Sequence, residues 1–373
     1  MPSNIRILLL ADSHLGLDLP TRPRIERRRR GHDFLANYAA ALAPAFAGEV
    51  DLVVHGGDVF DRPRVAASVA YQGFEPLRRI ADRGVPVFVV PGNHERSILP
   101  HGRLLSHPRV HVFDRPRTFV LQIRGTTIAV AGFPYERRNV RARFPELLER
   151  TDWQRQGAAV RLLCMHHCIE GATVGPGDFT FTSAPDVIRH RDVPAGFAAA
   201  LSGHIHRHQV LTADLRGRPL HTPVLYPGSL ERTSHAEIGE PKGYLLVRLD
   251  GGGGAAGVQW EFRRVPARPM MRRQVAAEGA SPDQLDSAIR AIVAASPPDA
   301  VLTIRVTGEP TRAHLRRLSA RHLRTFVPDT MNLDVRFADG FVPSARAMSR
   351  APGSRGRVRP PSSAAAQLEV AFD

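Results

Sequence analysis

The chain has 373 residues, of which 43% are hydrophobic, and this length and composition favour a globular protein with a real core over a disordered or fibrous one. No apolar run approaches the roughly eighteen residues of a membrane span, and the apolar start IRILLLA ends at Asp12 without a signal-cleavage pattern, so we expect a cytoplasmic protein. The formal net charge of +15 favours nucleic acid or another polyanion as a partner, because basic side chains neutralise phosphates.

Five short apolar runs predict strands that are buried on both faces, because their apolarity is nearly continuous over five or six residues. They begin, in chain order, at Ile5, Asp51, Val85, Thr126 and Val160. Two segments with helical periodicity, Asp33 to Ala47 and Ala66 to Arg83, lie between some of these runs. Strands and helices in this order predict a layered α/β fold.

The pattern changes in the last third of the chain. A strand over Tyr244 to Leu249 precedes the loop DGGGGAAG, and the alternating segment VQWEFRRV after it predicts a hairpin. A helix near Pro282 to Ala295, the strand AVLTIRV, a helix near Thr311 to Leu318 and the strand NLDVRF then predict a small α+β unit. The end of the chain is rich in Pro, Ser and Arg without periodicity, which predicts disorder. The predicted parts are residues 1–266, 267–342 and 343–373.

Polar residues stand where the apolar runs end. They are Asp12 and His14 in ADSH, Asp58 in GGDVFD, Asn93 in GNHE, His166 in MHH, and His204 and His206 in GHIH. Ligand sites of α/β sheets lie beyond the carboxyl ends of strands, and alternate residues of an extended segment point to one side. A single such histidine is more often structural. Together, three carboxylate or amide oxygens and four imidazoles form a ligand set suited to Mn²⁺, Fe or Zn²⁺.

These five motifs resemble the signature motifs of calcineurin-like metallophosphoesterases. The segment over residues 226–249, YPGSLERTSHAEIGEPKGYLLVRL, is similar to one found in SbcD-type DNA repair exonucleases. The resemblance covers about Ile5 to Leu249, and Pro269 to Ala338 is more weakly similar to the DNA-capping domain of that group. It implies a layered α/β/β/α sandwich with a small α+β capping domain.

The resemblance also implies two divalent metal ions, with Mn²⁺ expected first and Fe or Zn²⁺ as alternatives. One metal would be held by Asp12, His14 and His206, the other by Asn93, His166 and His204, and Asp58 would bridge them. Two such metals can generate the hydroxide that attacks phosphorus. His94 matches the family's catalytic histidine. An imidazole suits the role of proton donor to the leaving oxygen, because imidazoles in general titrate near neutral pH. Asp61 would orient His94 or favour its protonated form.

Three further histidines carry open alternatives. His166 ends its apolar run and is preferred to the adjacent His167 as the ligand. His208 matches no family ligand, so it is either a groove-edge or a structural residue. His55 precedes the GGD motif and faces either the core or the back of the ligands.

Four residues are candidates for contact with DNA. Arg27 and Arg28 lie in the run RPRIERRRRGHDF, which reads either as a solvated helix start or as a phosphate-binding rim. Arg232 and Ser229 lie in PGSLERTS, where a strand-end turn is the alternative to a phosphate contact.

The leading hypothesis is a metal-dependent phosphodiesterase that cleaves DNA in repair, as an exonuclease and with endonuclease action left open. The alternatives are a small-molecule or nucleotide phosphoesterase with the same chemistry, and a DNA-binding subunit that has lost catalysis. The resemblance implies DNA, an SMC-like ATPase of the SbcC type and a second copy of the chain as partners, and composition predicts no membrane partner. The tail leaves the ATPase contact open.

Overall fold

The computed structural model describes residues 4–18, 30–250, 254 and 257–337. Two units divide these residues: the first is formed by the parts before residue 234 and by residues 239–267, and the second by residues 234–238 and 268–337. The predicted tail over residues 343–373 and the predicted DNA contacts Arg27 and Arg28 lie outside the described residues.

The first unit contains sixteen strands and three α-helices among its described residues. The strands are β1 (Ile5–Leu10), β2 (Leu52–His55), β3 (Val87–Val89), β4 (Val110–Val112), β5 (Arg117–Ile123), β6 (Thr126–Gly132), β7 (Val160–Met165), β8 (Cys168–Ile169), β9 (Thr173–Val174), β10 (Phe179–Thr180), β11 (Val187–Ile188), β12 (Ala199–Ser202), β13 (Gln209–Ala213), β14 (Pro219–Tyr226), β15 (Gly243–Leu249) and β16 (Val258–Arg264). The helices are α1 (Gly31–Phe46), α2 (Ala67–Asp82) and α3 (Val140–Glu149). The two predicted helices are confirmed as α1 and α2, and the predicted hairpin as β15 and β16.

Two six-stranded sheets form the centre of this unit. The first has the order β16-β15-β1-β2-β3-β4, and the second has the order β13-β14-β12-β7-β6-β5. Strands β1 to β4 are parallel, as are β6, β7, β12 and β14. Strands β15, β5 and β13 run antiparallel to their neighbours β1, β6 and β14, and β16 pairs antiparallel with β15.

Side chains that alternate between the two faces of each sheet form the layers of the fold. In β1, Ile7 and Leu9 join a buried cluster that also contains Leu162 of the second sheet, so this cluster is the core between the sheets. Leu8 and Leu10 point to the other face and pack in a cluster with residues of α1 and α2. The outer face of the second sheet packs on α3. The layered α/β/β/α fold predicted from the sequence is therefore confirmed.

The fold brings the predicted site residues to one edge of each sheet. Strands β1, β2 and β3 are parallel neighbours and end just before Asp12, Asp58 and Asn93. Strands β7 and β12 are parallel neighbours in the second sheet and end just before His166 and His204.

The second unit is a three-stranded parallel sheet with helices between consecutive strands. Its elements are β17 (Met270–Ala276), α4 (Pro282–Ala294), β18 (Val301–Thr307), α5 (Arg312–Arg317), α6 (Ala320–Leu323) and β19 (Asn332–Phe337). Helix α4 starts at a capping box, in which the Ser281 side chain accepts from the Gln284 N–H. Within the described part of the chain, no helix is long and apolar enough to cross a membrane.

Candidate metal centre

Four of the predicted ligands have a backbone conformation that is rare for residues other than glycine. The φ angles are +51° at Asp12, +43° at His14, +52° at Asp58 and +84° at His204. Each such residue costs about 1–3 kcal/mol and persists only where the surrounding structure imposes it. The extended conformation expected for the D-x-H segment is therefore wrong, and strained turns aim these side chains instead.

The first predicted group of ligands converges. The Nε2 atoms of His14 and His206 lie 3.0 Å apart, and Asp12 Oδ1 lies 3.9 Å from His206 Nε2. One ligand atom from each of the three residues lies within 4.8 Å of the other two. Asp12 and His14 are fully buried, whereas His206 is partly exposed at the mouth of the group.

The second predicted group converges on an amide oxygen. Asn93 Oδ1 lies 2.9 Å from His166 Nε2 and 3.0 Å from His204 Nδ1. His166 is fully buried, and its Nδ1–H donates to the main-chain oxygen of Gly56 at 2.8 Å. This hydrogen bond leaves Nε2 as the imidazole atom that is available to a metal.

Asp58 lies between the two groups. Its Oδ2 is 3.3 Å from His166 Nε2 and 3.9 Å from His14 Nε2, while its Oδ1 accepts the His94 N–H at 2.9 Å. One oxygen thus faces members of both groups, and the other is held by the next loop. This is the position that a bridging carboxylate requires.

The donor atoms fit divalent metal ions. Metal–nitrogen and metal–oxygen bonds near 2.1 Å at tetrahedral or octahedral angles place donors about 3.0–3.4 Å apart. The separations in the second group, 2.9 and 3.0 Å, and the His14–His206 separation of 3.0 Å lie in or next to this range. Carboxylate, amide and imidazole donors without thiolates suit Mn²⁺, Fe or Zn²⁺.

The buried charged groups of the site shift one another's pKa values. Burial raises the pKa of Asp58, but the positive charges of His166, His14 and His94 outweigh it and hold that pKa well below its ordinary value. Burial lowers the pKa of His166, and the charge of Asp58 overcomes it and raises the pKa to about 9. Burial and the charge of His166 lower the pKa of His204 to about 3. A cation bound here would favour ionised carboxylates and neutral imidazoles, which are the forms that bind metals.

Two glycines allow the loops to approach closely. A Cβ on Gly92 would lie 2.1 Å from Asp58 Oδ1, and a Cβ on Gly57 would lie 2.2 Å from His166 Nδ1. Gly57 also has a φ of +112°. Any side chain at these positions would displace a candidate ligand.

His94 is oriented by the main chain of Asp61. Its Nδ1–H donates to the Asp61 main-chain oxygen at 2.8 Å, and its Nε2 lies 4.0 Å from Asp58 Oδ2. The Asp61 carboxylate instead accepts from Arg62 at 3.1 Å and lies 3.9 Å from His14 Nδ1. The orienting contact predicted for Asp61 is therefore made by its carbonyl group.

A buried hydrogen bond joins the first two ligand loops from behind. His55 Nδ1 accepts the Gly57 N–H at 3.3 Å, so its Nε2–H donates to Ser13 Oγ at 2.8 Å. Ser13 stands between the candidate ligands Asp12 and His14. His55 thus takes the position behind the ligands that the sequence left as one of two alternatives.

Sequence reasoning missed two other buried positioning residues. Glu95 accepts the Phe60 N–H at 2.9 Å and the Gly92 N–H at 2.7 Å, which ties the GGD loop to the GNHE loop. Lys242 Nζ donates to the His206 main-chain oxygen at 2.9 Å and lies 3.4 Å from Glu240 Oε2. The signal for Lys242 is that it is the single lysine of an arginine-rich chain.

His167 and His208 lie apart from the converging donor atoms. His167 is buried, stacks on Tyr135 at 4.8 Å and accepts the Glu136 N–H at 2.9 Å. His208 stacks on Phe262 at 4.0 Å between ring centroids and contacts the Tyr226 main-chain oxygen at 3.1 Å. His166, not His167, therefore lies with the other candidate ligands.

The described candidates for DNA contact are held by the protein itself. Ser229 is fully buried, and its hydroxyl donates to the Glu231 main-chain oxygen at 2.9 Å. Arg232 is partly exposed, and its Nη2 donates to the Glu240 main-chain oxygen at 2.8 Å. The Ser229 hydroxyl is thus inaccessible to a polymer, whereas part of Arg232 remains exposed.

The chain is similar to known phosphoesterases and DNA repair proteins. Residues 5–208 match the family model of the calcineurin-like phosphoesterases. The chain is 29% identical over 286 residues to the DNA double-strand break repair protein Mre11 of Aeropyrum pernix, a match that covers 72% of this chain and 63% of that protein. It is 27% identical over 223 residues to the uncharacterized metallophosphoesterase YhaO of Bacillus subtilis, covering 58% and 48%.

The chain therefore spans less than two thirds of the length of these two relatives. Among solved structures, TT1561 of Thermus thermophilus is 14% identical with a TM-score of 0.41, and the match covers 70% of this chain and 99% of that one.

Proposed function

This chain belongs to the calcineurin-like phosphoesterase family, and from that premise we propose that it is a metal-dependent phosphodiesterase that cleaves DNA in repair as an exonuclease, with endonuclease action left to the test below. The observation that carries the proposal is the convergence of seven side chains, from five loops of two sheets, in two groups that both lie next to Asp58 Oδ2. Relatives named for DNA double-strand break repair and the net charge of +15 support DNA as the substrate.

The two groups of ligands would each hold one divalent metal ion, for which we propose Mn²⁺. Asp12, His14 and His206 would bind one ion and Asn93, His166 and His204 the other, with Asp58 shared. When bound, the ions would supply Lewis acidity to the phosphodiester and lower the pKa of the attacking water.

His94 would supply the proton that the leaving oxygen requires. The Asp61 main-chain oxygen holds the proton on Nδ1, so Nε2 is the nitrogen that gains and loses a proton. Nε2 lies 4.0 Å from Asp58 Oδ2, at the border of the metal centre. The 39% exposure of the His94 side chain lets it exchange that proton with water between turnovers.

We propose a nuclease domain over residues 1–266 and a DNA-capping-like domain over residues 267–342. The partners would be DNA, an SMC-like ATPase and a second copy of the chain.

The test is cleavage of end-labelled linear duplex DNA and of a closed single-stranded circle. Each is incubated with Mn²⁺, with Mg²⁺ and with a chelator, using the parent protein, His94→Gln and the control His221→Gln, which changes an exposed histidine. We expect Mn²⁺-dependent cleavage by the parent and by His221→Gln, and no cleavage by His94→Gln. Hydrolysis of a chromogenic phosphodiester without cleavage of either DNA would overturn the DNA assignment and indicate a small-molecule phosphoesterase.

A further inference from the structure

The segment that follows β6 borders the candidate metal centre. Strand β6 ends at Gly132 and is parallel to β7, which ends just before His166, so both strands deliver their loops to the same edge. The ring of Tyr135 lies 5.8 Å from the ring of His204 and 6.1 Å from that of His166. A substrate bound at the metals would thus lie next to this segment.

The protein holds this segment at several points. The Tyr135 N–H donates to the Pro91 main-chain oxygen at 2.9 Å, and Ser97 Oγ donates to the Tyr135 main-chain oxygen at 2.5 Å. His167 stacks on the Tyr135 ring with an angle of 18° between the rings and accepts the Glu136 N–H. The backbone at Tyr135 and Glu136 is therefore fixed. This lowers the entropic cost of using the next two residues, Arg137 and Arg138, to bind a ligand.

A surface cavity of about 460 Å³ opens here. It is lined by Ser97, Tyr135, Glu136, Arg137 and Arg138. Both arginines are exposed, and no carboxylate of the described residues lies within 4.0 Å of either guanidinium.

Glu136 is the one carboxylate among the described residues that line this cavity. Arg143 pairs with Glu136 at 2.7 Å, and Glu136 also accepts the Arg138 N–H at 3.2 Å. The Glu136 carboxylate is therefore paired with Arg143 and forms no ion pair with Arg137 or Arg138.

We propose that Arg137 and Arg138 form a subsite for a phosphate of the polynucleotide that neighbours the phosphate being hydrolysed. The inference rests on the proposed function and adds that this cavity recognises a second phosphate of the substrate. A planar guanidinium without a carboxylate partner offers paired N–H donors that match phosphate oxygens. Contacts of this kind position a nucleic acid without reading its sequence.

The test compares a polymeric with a single-phosphate substrate. The Arg137→Gln/Arg138→Gln double variant is matched by Arg78→Gln/Arg79→Gln, an adjacent exposed pair in the last turns of α2. That turn precedes the amino end of β3, opposite the edge that carries the ligand loops. With an oligonucleotide we expect KM to rise roughly tenfold for the first pair alone, with kcat unchanged. With thymidine 5′-(p-nitrophenyl phosphate), which has one phosphate, all three proteins should behave alike.

A binding measurement supplies a second readout. Fluorescence anisotropy of a labelled oligonucleotide in chelator gives the binding constant at several salt concentrations. The slope of its logarithm against the logarithm of the salt concentration should be shallower by about one for each lost phosphate contact, and only in the first variant. Equal KM values and salt slopes for both double variants would overturn the subsite. Failure of the parent protein to cleave or bind the oligonucleotide, while it hydrolyses the ester, would instead overturn the proposed function and the subsite with it.

Discussion

The His94 Nδ1 atom lies 2.8 Å from the main-chain oxygen of Asp61, an atom that can only accept a hydrogen bond. The contact therefore fixes the tautomer of His94 without using the Asp61 carboxylate. Position 61 orients His94 through its main-chain oxygen. Its side chain can therefore vary as far as its contacts with Arg62 and His14 allow.

Asp61→Asn should accordingly change kcat only a few-fold, because the carbonyl group that orients His94 remains. His94→Gln should lower kcat by roughly 10²–10⁴-fold, the usual contribution of a positioned general acid. Both variants should retain full metal content. Turnover of a chromogenic phosphodiester and elemental analysis measure these quantities. An Asp61→Asn variant as inactive as His94→Gln would show that the carboxylate itself is required.

Asp58→Asn should lose metal and turnover together. Its Oδ2 faces His166 at 3.3 Å and His14 at 3.9 Å, so removing the charge weakens both proposed metal positions. Elemental analysis after dialysis should find fewer than two ions per chain, whereas the exposed control Asp114→Asn should bind like the parent. Full occupancy in Asp58→Asn would contradict the bridging role.

Acid should destabilise the protein through His55. Burial, followed by the charge of His166, lowers the pKa of His55 to about 3, against an ordinary value near 6.5. Between these values the unfolded chain binds a proton that the folded chain does not. The stability from the neutral imidazole is therefore fully present above pH 6.5 and is lost as the pH falls towards 3.

The measurement is urea unfolding in chelator at pH 7.5 and at pH 5, for the parent and for His55→Gln. The parent should lose about 2 kcal/mol more than the variant between the two pH values, because His55 then lies about 1.5 pH units below its unfolded pKa. His221→Gln, at an exposed position, should follow the parent. An identical loss in His55→Gln would show that His55 does not contribute.

Lys242→Met should destabilise the fold and weaken metal binding. The variant removes the Nζ donor from the His206 main-chain oxygen, which keeps the Ser229 N–H at 3.0 Å, and Glu240 keeps its pair with Arg207 at 3.0 Å, so we expect a loss of about 1 kcal/mol. Lys242→Arg should not restore stability, because a guanidinium does not fit the space of a fully buried ammonium.

Urea unfolding and Mn²⁺ titration measure both effects. Arg248→Met, at an exposed position of β15, is the control. A stable Lys242→Met with unchanged Mn²⁺ affinity would show that the contact with His206 is dispensable.

The strand ends could be predicted from the sequence, and the conformations and contacts behind them could not. Apolar runs and the polar residues after them are local features, so they placed Asp12 and Asn93 at strand ends. The hydrogen bond from His55 to Ser13 joins residues 42 positions apart, and the one from Lys242 joins residues 36 apart. Such pairs follow from how the strands are ordered and in what register, which a local pattern does not specify.

The burial of Ser229 has the same origin. Its loop is held from the side by α1, since Asn37 Nδ2 donates to the Leu230 main-chain oxygen at 3.0 Å. Nothing in the segment PGSLERTS signals that contact, because the two partners are 193 positions apart.

The proposed ligands come from both layers of the sandwich: Asp12, His14, Asp58 and Asn93 follow strands of one sheet, and His166, His204 and His206 follow strands of the other. Ions bound between them would fasten the sheets at their shared edge, and ion binding would add to the stability of the fold, by about 2.7 kcal/mol at a concentration one hundred times Kd. A molecule starved of metal would then be easier to open and to proteolyse as well as inactive, so the amount of this protein in a cell would track the supply of its ion.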